Sequence, residues 1–244
     1  IMRFLKIFAL STGVFLLSSC DTLNQAGQIL TQTGLGNPSA TEISLGLKQA
    51  LELGTSAGSE RLSQTDGFFA NAAIKILFPE EAQKVERTLR SVGLNKLADN
   101  VILSVNRAAE AAAIEAKPIF ISAIKGMTFN DASNILLSGQ QDAATLYFQR
   151  VTADQLQQKF QPIIQNSLSK VGATRYWTDA ITAYNSIPLV GKVNPDLSAY
   201  VTQKAIAGIF FEIAQEELKI RSKLSARTSP LLQKVFAYAD RNRG

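Results

Sequence analysis

Apolar residues recur at intervals of three and four positions through most of this 244-residue chain. The clearest example is a stripe made of Leu94, Leu97, Val101, Val105 and Ala108. This spacing places the apolar side chains on one face of an α-helix, whereas a half-buried strand would show strict alternation. Alternating runs are almost missing. We therefore predict an all-α fold, a single multi-helix domain of about eight to ten helices with little or no β structure.

Sequences typical of helix starts divide these apolar stretches. Residues 39–42 and 152–155 have the spacing of a capping box, in which the first and fourth residues exchange hydrogen bonds between side chain and backbone. Residues 128–131 resemble a further start, and Asp142 can cap a short helix that follows it. The pair at 229–230, serine then proline, is a favourable N-cap and first helical residue.

Three places interrupt the helical pattern. Residues 66–79 fit a helix in part, and also a short strand or an extended loop. Pro118 should kink or end the helix that carries the apolar stripe, because proline lacks the N–H that the helix interior needs. Residues 187–196 contain two prolines and a glycine and form the clearest predicted loop.

The only cysteine, Cys20, ends an apolar N-terminal run. Arg3 and Lys6 precede eleven apolar or small residues at 7–17, and two serines lead to the cysteine. A charged start, a short apolar region and small residues at the cut are typical of a secretory signal. With cysteine at the cut, the segment resembles the lipobox of bacterial lipoproteins, where the thiol is acylated and becomes the new N-terminus.

We therefore predict a lipoprotein signal peptide over residues 1–19 and lipidation at Cys20. The apolar run is about half of the roughly 20 residues that a membrane-spanning helix needs. A plain secretory signal that leaves a free cysteine is the alternative. Residues 20–38 are polar and glycine-containing, which predicts a flexible tether, and residues 39–244 form the helical domain.

These features predict a lipid-anchored protein on the periplasmic side of the bacterial cell envelope. Asp21 follows the lipidated position, which favours inner-membrane retention in enterobacteria only. The inner and the outer membrane therefore both stay open.

The chain has no histidine. This excludes Ser-His-Asp and Cys-His nucleophilic sites and histidine-ligated zinc. Any catalysis would rest on carboxylates, lysine, tyrosine, serine or threonine, with or without an oxygen-ligated metal ion. The sequence indicates no particular cofactor.

Basic residues are concentrated at the C-terminal end, where only Asp240 opposes them after position 218. The basic residues there are Lys219, Arg221, Lys223, Arg227, Lys234, Arg241 and Arg243. Such a helix can contact anionic lipid headgroups. The same cations can simply complement helix C-termini, so both interpretations stay open. The predicted periplasmic location disfavours nucleic acid as a partner.

Three groups of polar residues stand within apolar helical surroundings. Arg107 and Glu110 lie three apart beside Asn106, in an alanine-rich stretch, and Glu217 and Arg221 lie four apart near the C-terminus. The third group surrounds the predicted helix starts at 131 and 142. The complete set of candidate site residues is Asn106, Arg107, Glu110, Asp131, Asp142, Thr145, Tyr147, Tyr200, Glu217 and Arg221.

Each group also has a purely structural interpretation. The first fits an intrahelical ion pair near the surface and the second a solvated salt bridge. Helix capping accounts for Asp131 and Asp142. If these two and the glutamates at 110 and 217 converge, they could hold a hard divalent cation, but the spacing does not require it and we assign no metal.

Trp177, with Tyr176 and Tyr184, forms an aromatic stripe on one predicted helix. Such a stripe is more typical of a core than of an apolar ligand cleft, and both interpretations stay open.

Several short motifs lie between residues 40 and 240. They are Gly46-Leu47-Lys48-Gln49-Ala50-Leu51, Asp66-Gly67-Phe68, Asn106-Arg107-Ala108-Ala109-Glu110, Asp131-Ala132, Ile135-Leu136, Gly139, Ala144-Thr145, Tyr147-Phe148, Tyr200-Val201-Thr202, Glu217, Ile220-Arg221, Leu232 and Val235-Phe236. Together they resemble a bacterial helical family known only as a domain of unknown function, common in exported and lipid-anchored proteins. The resemblance implies an all-helical exported domain and no particular activity. Phe68 departs from the pattern, which has tyrosine there, and this puts a hydroxyl role at that position in doubt.

The leading hypothesis is a lipid-anchored periplasmic binding or envelope-interaction module whose ligand, a small molecule or a protein, is unknown. The alternative is a carboxylate-based hydrolase or lyase, with or without a divalent metal, in which Arg107 or Arg221 holds an anion. The missing catalytic repertoire favours the first. Distances between the acids distinguish the two, because metal–oxygen bonds measure only about 2.0–2.6 Å.

Overall fold

The computed structural model describes residues 36–91, 93–170, 172–185, 192–194 and 196–242. The predicted signal peptide, Cys20 and the tether through residue 35 lie outside these ranges, as does most of the predicted loop at 187–196. The statements about those segments stay predictions.

The described residues form nine α-helices and two short 3-10 helices, with no strand among them, which confirms the predicted fold class and helix number. In chain order the α-helices are α1 Ala40–Ser63, α2 Gln83–Ser91, α3 Asn95–Ala113, α4 Ala116–Gly126, α5 Phe129–Leu137, α6 Ala143–Lys170, α7 Ala173–Asn185, α8 Leu197–Ser222 and α9 Pro230–Asn242. The 3-10 helices are Glu80–Ala82 and Leu224–Ala226.

Three of the predicted helix starts are confirmed by their hydrogen bonds. The Ser39 hydroxyl accepts the Glu42 N–H at 3.2 Å, and the Glu42 carboxylate accepts the Ser39 N–H at 2.8 Å. Thr128 and Asp131 make the same reciprocal pair at 3.1 and 3.0 Å. The Ser229 hydroxyl accepts an N–H from the first turn of α9 at 3.2 Å. Each bond satisfies a donor that has no acceptor within its own helix.

The predicted helix start at residues 152–155 is wrong. Helix α6 runs unbroken from Ala143 to Lys170, so the short helix and the one predicted to follow it are a single element. The Thr152 hydroxyl donates to the Phe148 carbonyl at 2.7 Å. A threonine that bonds the carbonyl one turn earlier remains in the helix instead of capping a new one.

The helix break near Pro118 falls earlier than predicted. Helix α3 ends at Ala113 and α4 begins at Ala116, so Pro118 lies in the first turn of α4. Proline is tolerated there because N–H groups of the first turn lack an intrahelical acceptor in any case.

The segment between α1 and the first 3-10 helix is a series of turns followed by an extended stretch at residues 75–79. Asp66 begins the turns with a φ of 70°, in the left-handed region that aspartate tolerates better than most residues. Around the extended stretch, buried and exposed side chains alternate. Ile74, Ile76 and Phe78 are buried, while Leu77 is 53% exposed. The stretch therefore has the side-chain pattern of a strand without a strand partner among the described residues.

The core is formed around α1, α6 and α8. Helix α6 packs against α3 and α8, and α1 packs against α4, α5, α8 and α9. The Phe120 ring meets the rings of Phe148 and Phe210 edge-on, with centroids 5.2 and 6.1 Å apart. This geometry is the one that aromatic quadrupoles favour. None of the described helices has the length and apolar content needed to span a bilayer.

Candidate functional site

Glu110 on α3 holds the turns that follow α1. Its Oε1 accepts the backbone N–H groups of Phe68 and Phe69, both at 3.1 Å, and its Oε2 accepts Arg107 Nη1 at 2.6 Å. The residue is only 4% exposed. Arg107 also donates to Asp66 at 2.6 Å, and its hydrogen bonds to the carboxylates of Glu110 and Asp66 raise the pKa of Arg107. The predicted intrahelical pair therefore exists, and its carboxylate positions the backbone of the turns.

Asn106 fixes the extended stretch in the same way. Its Oδ1 accepts the Ile76 N–H at 2.9 Å, and its Nδ2 donates to the carbonyls of Ile76 and Ile102 at 2.8 and 2.7 Å. Asn106 is fully buried, so all three bonds are formed away from water. The amide is committed to the backbone and is not available to a ligand.

The predicted solvated pair between Glu217 and Arg221 is instead buried, with side chains only 4% and 2% exposed. Arg221 Nε and Nη2 donate to Glu217 Oε1 at 2.9 and 2.8 Å. The carboxylate also accepts the N–H groups of Ala144 and Thr145 at 2.9 Å and the Thr145 hydroxyl at 3.0 Å. The Glu217 carboxylate thus lies at the positive N-terminal end of α6, where the N–H groups and Arg221 together compensate its burial. Glu217, not the predicted Asp142, binds these N–H groups.

Arg221 completes this cluster by donating to the Ile135 carbonyl at 2.8 Å. Its Nη1 has no hydrogen-bond partner among the described residues. A cavity of about 20 Å³ lies beside Arg221, Glu217 and Phe236. That volume holds about one water molecule, so this place is too small for a ligand.

Asp131 and Tyr147 line a shallow cavity of about 340 Å³ together with Arg150. Hydrogen bonds from Thr128 lower the pKa of Asp131 and so favour its ionised form. Asp131 is the residue that pairs with Thr128 in the capping box of α5. Burial and the nearby Asp131 raise the pKa of Tyr147, so its phenol stays protonated. The Arg150 guanidinium lies 5.6 Å from the centre of the Tyr147 ring.

The candidate site residues therefore do not share one site. Glu110 on α3 holds the turns after α1, and Glu217 on α8 holds the start of α6. Asp131 belongs to the capping box of α5. Within the part of the chain that the structure describes, no three acidic or cysteine residues are placed to hold a metal ion. Glu110 and Glu217 are each neutralised by their own arginine.

A third buried carboxylate, that of Glu212, was not among the candidate residues predicted from the sequence. Glu212 accepts Arg61 Nη2 and Nε at 2.7 and 3.1 Å and Asn71 Nδ2 at 2.9 Å. Arg61 also pairs with Glu216 at 2.8 Å. This group ties α1 and the turns to α8, and nothing in the local sequence distinguishes it from an ordinary exposed helix face.

The C-terminal cations are largely engaged in ion pairs. Arg227 is buried and pairs with Asp240 at 2.7 Å, and Lys234 pairs with Glu42 at 2.7 Å. Lys223 and Arg241 are exposed, and Arg243 lies outside the described residues. Contact with anionic lipid headgroups stays a prediction, and it depends mainly on the two exposed residues Lys223 and Arg241.

A groove of about 680 Å³ lies between residues 73–80 and an exposed face of α8. We call it the α8 groove. The α8 residues that line it follow helical spacing and are Tyr200, Gln203, Lys204, Ala207, Gly208 and Phe211. Among the candidate site residues only Tyr200 belongs to it. The others on this face were missed because polar residues at helical spacing look like any solvated surface.

A hydrogen bond joins the two walls of the α8 groove, and two lysines that line it lie beside aromatic rings. The Tyr200 hydroxyl donates to the Leu77 carbonyl at 3.1 Å. Lys204 Nζ lies 5.7 Å from the centre of the Tyr200 ring, and Lys75 Nζ lies 3.8 Å from that of Phe69. The groove thus combines exposed apolar side chains, aromatic faces and ammonium groups.

A second cavity of about 300 Å³, which we call the Trp177 pocket, adjoins the α8 groove and shares Pro79, Tyr200 and Gln203 with it. Its other lining residues are Trp177, Lys192, Val193, Asn194, Asp196 and Ala199. Trp177 is only 4% exposed, and its ring centre lies 5.8 Å from that of Phe78, so this ring packs against the core at the edge of the pocket. The side chains of Tyr176 and Tyr184 lie outside the described part of the chain. Trp177 Nε1 has no hydrogen-bond partner among the described residues.

A family model described as "Protein of unknown function (DUF4197)" matches residues 37–237. The chain belongs to this family. The matched region includes helices α1 to α8, most of α9, the α8 groove and the Trp177 pocket. The match confirms the family resemblance noted from the sequence motifs. The DUF4197 description assigns no activity. Among curated proteins and solved structures, the comparisons found no match to the chain.

Proposed function

We propose that this chain is a lipid-anchored binding module of the bacterial envelope, held on the periplasmic side through Cys20, and that its ligand occupies the α8 groove. The observation that carries the proposal is a groove of about 680 Å³ lined by aromatic, apolar and ammonium groups. Ligand cavities typically measure about 300–1,000 Å³ and combine apolar walls with a few polar groups.

A binding role agrees better with the contacts than carboxylate catalysis does. Glu110 and Glu217 accept backbone N–H groups and pair with arginine, so neither has a free oxygen directed at a substrate. Among the described side chains that line the α8 groove, only that of Glu80 is acidic. A mechanism in which one carboxylate acts as acid and another as base would need a second carboxylate in the α8 groove.

The anchor rests on the N-terminal sequence and has its own test. Replacing Cys20 with alanine removes the thiol to be acylated, so the Cys20→Ala protein should leave the membrane fraction of cells. Ser18→Ala keeps the thiol and a small residue near the cut, and is the control that should stay membrane-bound. Membrane recovery of Cys20→Ala equal to that of the control would overturn the anchor.

The binding role is tested by thermal shift on the mature, lipidated chain in detergent. The probes are pyrophosphate and citrate as anions, spermidine as a cation and maltose as a neutral molecule. A ligand at 100 times its Kd adds about 2.7 kcal/mol of stability, which corresponds to a rise of roughly 5–10 °C in Tm for a chain of this size. We expect at least one charge class to produce such a rise.

Blocking variants assign the response to the α8 groove. Ala207 is exposed and lines the groove, so Ala207→Trp should fill it and abolish the rise in Tm. Ala111, in the last turn of α3, is also exposed but does not line the groove, and Ala111→Trp should keep the rise. A response that survives equally in both variants, or no response from any class, would overturn the proposed site.

A further inference from the structure

We propose that the α8 groove and the Trp177 pocket together bind a water-soluble small molecule that carries phosphate or carboxylate groups. Lys192 would hold one end of the ligand, beside Trp177, and Lys204 and Lys75 the other. This inference rests on the proposed function and names the chemical class of the ligand.

The two cavities form one continuous surface because they share three lining residues, Pro79, Tyr200 and Gln203. Lys204 follows Tyr200 by one helical turn, a rise of about 6 Å along α8. A molecule that lies across Tyr200 can therefore reach the Trp177 pocket and the groove lysines at once. Cavities of about 300 and 680 Å³ suit a small molecule rather than a single inorganic ion.

The sign of the charge favours an anion. Lys75, Lys192 and Lys204 line these cavities, and none of them forms an ion pair with the described residues. Two carboxylates, those of Glu80 and Asp196, also line the cavities. Asp196 Oδ1 already accepts the Ala199 N–H at 3.0 Å as the cap of α8, so its charge is partly used by the helix.

Trp177 serves as a reporter beside the lysines and not as a hydrogen-bond donor to the ligand. Its Nε1 has almost no surface exposed to the pocket and no hydrogen-bond partner among the described residues. The preference for an anion therefore rests on the lysines.

A free molecule fits the lining better than a lipid does. Among the described residues lining the groove, Leu77 and Phe211 are the only large apolar side chains that are substantially exposed, at 53% and 38%. Two such side chains offer little apolar area for an acyl chain. The other exposed lining residues are polar, charged or small: Ala73, Glu80, Gln83, Lys192, Asn194, Asp196, Gln203, Lys204 and Ala207.

Trp177 is the only tryptophan in the chain, so emission excited at 295 nm reports on this pocket alone. We would titrate the mature, lipidated chain with pyrophosphate and with citrate at constant ionic strength. The expected result is a saturable change in emission with at least one of the two anions. Lys192→Gln and Lys204→Gln should each raise the Kd at least about fivefold, since each removes one charge partner.

The matched control is Lys223→Gln, which removes the same charge from an exposed residue just after α8. It lies nineteen positions after Lys204, a rise of about 28 Å along a helix. Lys223→Gln should keep the wild-type Kd, and urea midpoints should be equal in all three variants. An equal loss of affinity in all three would mean that only net charge matters, which overturns the site.

The remaining outcomes separate this inference from the proposed function. If spermidine or maltose stabilises wild type but not Ala207→Trp, while neither anion changes the emission, the groove binds a ligand and the anion inference is wrong. If vesicles of phosphatidylglycerol change the emission and phosphatidylcholine vesicles and both free anions do not, the source is a lipid headgroup and the free-molecule assignment is wrong.

Discussion

The side-chain amide of Asn106 forms two hydrogen bonds with the backbone of Ile76: Oδ1 accepts the N–H at 2.9 Å and Nδ2 donates to the carbonyl at 2.8 Å. A neighbouring antiparallel strand would provide the same pair of bonds. The amide thus replaces a strand partner and holds residues 75–79 extended. Because these residues form one wall of the α8 groove, Asn106 positions the site without lining it.

Asn106→Leu should lower the free energy of unfolding by about 2–4 kcal/mol, because it leaves the buried N–H and carbonyl of Ile76 without partners. Urea denaturation followed by circular dichroism measures this. Asn100 lies on the same helix but is exposed, and Asn100→Leu should change stability by no more than about 0.5 kcal/mol. Similar losses in both variants would contradict the role of Asn106.

Two pairs of glutamate and arginine, each four residues apart on a helix, differ in burial and in their other partners. The buried Glu217 also accepts N–H groups at the start of α6, whereas the partly exposed pair of Glu86 and Arg90 is joined only by Asp99 among the described residues. Glu217→Gln breaks the buried pair with Arg221 and should cost about 3–5 kcal/mol. Glu86→Gln breaks the pair with Arg90, whose side chain is 35% exposed, and should cost less than about 1 kcal/mol. Chemical denaturation of both variants is the comparison. Equal losses would show that burial does not set the energy of the pair.

Gly208 is required by the ring of Phe68. A Cβ on Gly208 would lie 2.5 Å from Phe68 Cε1, and Phe68 is fully buried and cannot move aside freely. Gly208→Ala should therefore destabilise the protein by about 1–3 kcal/mol through overpacking. Gly126 at the end of α4 has no atom within 4 Å of an added Cβ. Gly126→Ala should be neutral or stabilise the protein by up to about 1 kcal/mol.

A second substitution checks the mechanism at Gly208. Phe68→Leu shortens the side chain that the new methyl group would meet, so it should recover part of the stability lost in Gly208→Ala. The double variant should then lose less free energy of unfolding than the sum of the losses in the two single variants. Strict additivity of the two losses would rule out this contact as the cause.

The capping box of α5 should give a pH-dependent stability. Hydrogen bonds from Thr128 hold the pKa of Asp131 below its ordinary value, so folding favours the ionised carboxyl. This contribution is complete above the unfolded pKa of about 4 and is lost as the pH falls through the lower folded value. Asp131→Ala should cost about 1 kcal/mol at neutral pH, and the difference from wild type should shrink toward about pH 2.

Asp154 provides the control for that pH profile. It is exposed in the middle of α6, and its side chain makes no hydrogen bond among the described residues. Asp154→Ala should differ from wild type by no more than about 0.5 kcal/mol at either pH. A loss for Asp131→Ala that stays constant from neutral to acid pH would mean that the carboxylate is not the source of the effect.

Local sequence patterns predicted the helices well. The caps at Ser39, Thr128 and Ser229 and the all-α class follow from interactions between residues three or four positions apart. The failures were local too. Thr152 has a capping sequence, but its hydroxyl bonds back to Phe148 because α6 is already formed on its N-terminal side.

The polar candidates were located correctly as unusual residues, but their roles depend on partners far along the chain. Glu110 binds Phe68 N–H across 42 residues, and Glu217 binds Ala144 N–H across 73. Sequence spacing says nothing about such pairs. Lys75, Lys192 and Lys204 were not predicted as site residues either. Only the packing of residues 73–80 against α8 brings them toward one surface.

The sequence by itself determined that the chain is helical, lacks histidine chemistry and carries one cysteine in a lipobox-like setting. Helical periodicity and caps are short-range properties, so they can be read without a fold. Only the tertiary structure decided that the buried carboxylates hold backbone N–H groups and that a groove lies beside α8. Those features depend on which helices pack together, and that is set by burial of the whole apolar surface at once.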